Sequence, residues 1–161
     1  MKMQIRFQTY FTWLVLGIIL GTSASQLLVS TGEAFPLSPV SLSITLLACA
    51  VVGYLFTIPI LRYRRKLQRF ANGEIKERPE RVNPFLAFRI LVLARSVAIA
   101  GAGFLGWHLG QLIWLFAFSV AASGLVLQTI FGALGSATML VAGLLGEQNC
   151  KTPEDPKDGV R

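Results

Sequence analysis

The chain has 161 residues, of which 53% are hydrophobic and 14% charged, against roughly 25% charged residues in soluble domains. With a mean hydropathy of +0.60, it carries more apolar surface than a water-soluble fold of this size covers, which excludes a soluble globular domain and points to a bilayer protein. The formal net charge of +7 is clustered, so an anionic neighbour is expected, and the adjoining apolar runs favour lipid headgroups over nucleic acid.

Four apolar stretches follow in chain order, expected at about 9–29, 40–61, 84–117 and 122–145. Each reaches the roughly 20 residues a helical span needs, and helix satisfies every backbone hydrogen bond within the segment. The expected fold is an all-α, four-helix transmembrane bundle forming one domain over 1–150, with a short polar tail at 151–161.

The first span follows Lys2 and Arg6 and contains Gly17, Gly21 and Ser25 at intervals of four. Its Thr22-Ser23-Ala24-Ser25 segment also resembles a signal-peptide cleavage site. Leu27, Leu28 and Val29 extend the apolar run beyond it, which favours a retained span. The second span opens at Ser38-Pro39, which reads as a cap followed by proline at the first helical position. Pro59 is expected to kink or close it.

A basic loop at 62–83 comes next, with eight basic and three acidic residues. Its first part, 62–69, can continue the second helix into water. Arg62, Arg64, Arg65, Lys66 and Arg69 are the candidate contacts to anionic lipid, each worth about 1 kcal/mol near such a surface. No aromatic platform or nucleic-acid-binding motif accompanies them, and no nucleic acid is expected as partner.

Asn83-Pro84 reads as a second cap-proline start. The 57 residues from Ile90 to Gly146 hold Arg95 as their only formal charge. That length fits two tilted helices and a turn, placed at 118–123, with a break at 106–110 as the alternative. In the third span Ala94, Ala98, Ala102, Gly106 and Gly110 recur every four residues. With Gly17 and Gly21 they are the candidate helix-packing residues, because small side chains let membrane helices approach closely. Arg89 is an expected interfacial anchor. Arg95 lies six residues deeper, about 9 Å at helical rise, and Glu147 ends the returning fourth span, so the two form a candidate ion pair. His108, Gln111 and Gln128 are expected to be wetted or hydrogen-bonded. Trp13, Trp107 and Trp114 suit an interfacial aromatic belt.

Lys and Arg fall at the N-terminus, in the 62–83 loop and in the tail, and are missing from the other two loops. The positive-inside rule then puts both termini in the cytoplasm. Two cysteines, Cys49 and Cys150, are far apart and form no disulfide framework or metal-type spacing.

Asn83-Pro84, Arg89-Ile90-Leu91-Val92-Leu93-Ala94-Arg95-Ser96, Gly101, Gly106-Trp107 and Gly110 form one block of signature residues. Gly143-Leu144, Glu147 and Cys150-Lys151-Thr152-Pro153-Glu154-Asp155-Pro156 form another. With the four-span layout, these blocks make the chain resemble an uncharacterised actinobacterial membrane family, domain of unknown function 3180. The resemblance implies a multi-pass protein of a bacterial plasma membrane and supplies no activity. It places Arg89, Arg95 and Glu147 on the family's charged positions. The family often has a Cys-Cys pair where this chain has Asn149-Cys150, which weakens any role built on a vicinal dithiol.

The expected function is a non-enzymatic structural or accessory one, through helix packing and the basic loop, with the bilayer, anionic headgroups and a membrane-protein partner as associates. A small transporter is the alternative, set back by the lack of a carboxylate deep in the first three spans. An enzyme is not expected, since no catalytic set or metal cluster has workable spacing, and no cofactor is expected either.

Overall fold

The computed structural model describes residues 2–75, 77, 83–118 and 123–150, all helix or connecting loop. Five helices appear: α1 (Lys2–Ser30), α2 (Val40–Leu55), α3 (Ile58–Ala71), α4 (Pro84–Ala117) and α5 (Ser123–Asn149). They make four candidate membrane spans, Gln8–Ser30, Val40–Ala71, Phe85–Ala117 and Ser123–Asn149. Most of the expected turn at 118–123 falls outside the described residues. So do Lys76, Arg78 and Arg81 of the basic loop and the 151–161 tail.

Local chemistry fixes the ends. Helix α1 stops at Gly32, whose φ of 82° is the left-handed conformation glycine adopts without strain. Gly32 N–H donates to the Val29 carbonyl and Glu33 N–H to that of Leu28, the paired bonds of a Schellman cap. The same pattern closes α3 at Gly73, with bonds to Phe70 and Arg69. Asn83 caps α4, its Oδ1 accepting from Phe85 N–H at 3.0 Å, with Pro84 in the first turn. The Ser38-Pro39 start differs from expectation. Pro39 itself is the N-cap and no side chain caps the helix, while the Ser38 carbonyl accepts from Gln128.

Pro59 does interrupt the second span. Its ring would clash with the carbonyl four residues back and it has no N–H to bond there; that residue is Leu55, where α2 ends. Thr57 turns the corner, buried, with its hydroxyl on the Tyr54 carbonyl at 2.7 Å. Helix then resumes as α3.

Helix α4 lies between α1 and α5, and α2 packs mainly on α5. Where α1 crosses α4, a Cβ on Gly106 would run into the Leu14 carbonyl oxygen, and one on Gly110 into that of Ile18. Gly17 and Gly21 sit equally tightly against Gly103 and Trp107. On the other side of α4, Gly143 meets the backbone of Ala98, and Gly146 meets Ala94. The single four-residue stripe therefore serves two helices, Ala94 and Ala98 facing α5 and Gly106 and Gly110 facing α1. A step of four overshoots the helical turn by about 40°, so five such residues sweep about 160° around the axis.

A small apolar core of Leu46, Ala50, Val97 and Met139 joins α2, α4 and α5. Large apolar side chains such as Leu20, Ile44, Phe88, Phe116 and Leu134 point outward. Helices with apolar residues all round are what a bilayer solvates.

Candidate functional site

Three polar assemblies stand out on this apolar frame. The first joins the ends of α1 and α5 near the α2–α3 corner. Glu147 is 4% exposed, and its carboxylate accepts from the Tyr10 hydroxyl of α1. One residue on, the Gln148 carbonyl accepts from Arg64 Nη1 at 3.1 Å. A guanidinium at a helix C-terminus satisfies a carbonyl left open by the last turn and complements the helix dipole. Cys150 lies beside this end, and burial, then the Glu147 charge, pushes its thiol above the ordinary value of 9.0. The thiolate is thereby disfavoured, which argues against a reactive cysteine.

The Arg95–Glu147 pair is not formed among the described residues. Arg95 is exposed, because it follows Ala94 by one position and so points about 100° away from the face that meets α5. Arg89 is exposed as well. Tyr10 was missed by sequence reasoning; the available signal was a tyrosine, hydroxyl at its tip, near the same end of the first span where Glu147 closes the fourth.

The second assembly runs from the middle of the bundle, at Ser136 of α5, toward the opposite end. His108 and Gln111 of α4 and Ser136 of α5 are fully buried. His108 Nδ1 lies 2.7 Å from the Phe104 carbonyl and 3.2 Å from Ser136 Oγ. Ser136 donates its hydroxyl proton to the Gly132 carbonyl at 2.8 Å. Nδ1 therefore carries the proton and donates to both oxygens, which leaves Nε2 as a bare acceptor. Nε2 has no partner among the described residues, and it abuts Gly132, where any Cβ would collide with the ring. Gln111 donates to the Pro36 carbonyl at 2.6 Å and Gln128 to that of Ser38 at 2.7 Å. Trp114 Nε1 donates to Gln26 at 2.8 Å, and its ring meets those of Phe35 and Phe118 in tilted contacts. These bonds pin the α1–α2 loop over the helix ends. Trp114 is thus buried at 5% exposure rather than part of an interfacial belt.

The third assembly is α3. Ile60 is buried and Leu61, Tyr63 and Leu67 half-buried, while Arg62, Arg65, Lys66 and Arg69 are exposed. Of the five expected lipid contacts, Arg64 is turned inward onto α5. Arg69 lies 3.9 Å from Glu74 across an exposed surface. No group of three or more metal-ligating side chains comes together among the described residues.

The described residues form an all-helical bundle whose four spans are each long and apolar enough to cross a membrane. Its family is the one described as protein of unknown function DUF3180, whose model matches residues 11–154; the chain belongs to that family. Comparisons with curated proteins and with solved structures gave no match.

Proposed function

We propose that the protein is a non-enzymatic accessory component of a bacterial plasma membrane, with both termini and α3 on the cytoplasmic side. It works by laying the basic face of α3 on the anionic inner leaflet. The observation that carries this reading is the division of α3 into a buried apolar side and an exposed side of Arg62, Arg65, Lys66 and Arg69, directly after an apolar span. A helix so divided lies at a membrane surface by apolar burial plus attraction to anionic lipid. The Arg64 bond to α5 ties that surface helix to the bundle.

The reading also draws support from where the buried polar groups go. Ser136, fully buried, and Gln128, half-buried, bond to backbone and loop carbonyls, as structural groups do. An accessory role implies a membrane-protein partner, to be sought by co-purification from native membranes.

Hydrogen exchange on the full chain in nanodiscs tests the lipid contact. Amides of α3 should exchange more slowly in phosphatidylglycerol than in phosphatidylcholine discs, and the difference should shrink as salt rises. Changing Arg62, Arg65, Lys66 and Arg69 to Gln should abolish it. Equal protection in both lipids would overturn the electrostatic account.

A further inference from the structure

Helices α1 and α4 enclose an open apolar groove of about 580 Å³ on the outside of the bundle. Its lining includes the small residues Gly17, Ala100 and Gly103 and the aromatic Trp13, Phe104 and Trp107. On α4 it runs from Ser96 to Trp107, about 16 Å at helical rise. That matches the hydrocarbon depth of one leaflet, half of roughly 30 Å.

The groove has charge at one end only. Arg95 precedes the lining residue Ile99 by four positions and Arg89 precedes Ser96 by seven, so each lies on the face of a lining residue, toward the start of α4. Side chains on a helix lean toward its N-terminus, which carries both guanidinium groups away from the apolar lining and toward the headgroup region. Both arginines are exposed, and neither has an acidic partner among the described residues.

We propose that this groove is a binding site for one anionic phospholipid, an acyl chain lying between α1 and α4 and the phosphate held by Arg89 and Arg95. Charge complementarity selects this occupant. A second transmembrane helix would find an apolar trough but bring nothing for the two cations, whereas an anionic lipid supplies chain and phosphate in the right order along the membrane normal. Guanidinium groups pair well with phosphate oxygens. The site is separate from the α3 surface and does not depend on which side of the membrane the termini occupy.

The test is native mass spectrometry of the full chain in detergent, titrated with phosphatidylglycerol or phosphatidylcholine. One phosphatidylglycerol should bind more tightly than the rest, in preference to phosphatidylcholine. Arg89→Gln and Arg95→Gln should each weaken it about fivefold. Gly103 is the discriminating position, since a Cβ there meets nothing within 4 Å. Gly103→Leu should fill the groove, keep the melting temperature in lipid-free detergent, and weaken the tight lipid about tenfold. Replacing Arg62, Arg65 and Lys66 by Gln should leave that lipid bound. Equal affinity for the two lipids, or Gly103→Leu binding like the parent, would overturn the proposal. So would a dimer that Gly103→Leu dissociates while lipid binding is unchanged, which would assign the groove to a second copy.

Discussion

Glu147 shows how a residue's neighbours, more than its depth, decide its role. Depth alone paired it with Arg95, and depth is legible in a sequence. Which way each side chain points around its helix is legible only once the packing faces are known. The Tyr10 hydroxyl fills the place given to Arg95. Tyr10→Phe should therefore destabilise the protein by about 1.5–3 kcal/mol, the range for a hydrogen bond to a charged group, and should couple to Glu147→Gln in a double-mutant cycle. Arg95→Leu and Glu147→Leu should instead add within about 0.5 kcal/mol. Thermal or chemical unfolding in detergent decides both; strong coupling between Arg95 and Glu147 would contradict the geometry. Cys150 supplies a pH signature. Its folded thiol holds its proton above the ordinary value of 9.0, so its contribution to stability is complete below that value and lost as pH rises through the folded one. Alkylation at Cys150 should be slow near neutral pH and accelerate only above about pH 9. Glu147→Gln removes one cause of the shift and should move that acceleration to lower pH.

At the scale of the helices, spacing revealed that small residues matter but not how they divide between neighbours. The four-residue rhythm in α4 reads as one stripe. Its slow rotation around the axis hands Ala94 and Ala98 to α5 and Gly106 and Gly110 to α1. The matching glycines of α5, Gly143 and Gly146, carried no such signal in isolation; their partners are set by a chain reversal whose exact position is not written in local sequence. The same geometry separates two glycines three residues apart. Gly106→Leu drives a side chain into the Leu14 carbonyl and should cost at least about 1–3 kcal/mol through overpacking. Gly103→Leu meets open space and should leave the stability within about 0.5 kcal/mol of the parent, as surface changes do. Similar losses for both would mean that α1 and α4 do not cross as described. Pro59 was a legible break, because the clash with Leu55 is local chemistry; the inward turn of Arg64 was not, because its partner lies 84 residues away.

For the whole molecule, four apolar spans and a basic segment after the second were readable from composition, since the bilayer imposes length and hydropathy on every crossing. The loop held by Gln111 and Gln128 was not, because it depends on side chains from α4 and α5 meeting carbonyls of Pro36 and Ser38. In the proposed topology the four-span bundle presents α3 to the cytoplasm and the α1–α2 loop to the outside. Single cysteines at Glu33 and Glu74, both exposed, in a background lacking Cys49 and Cys150, test it with a membrane-impermeant thiol reagent on intact cells. The account predicts labelling of Glu33→Cys without lysis and of Glu74→Cys only after lysis. Labelling of Glu74→Cys in intact cells would contradict it.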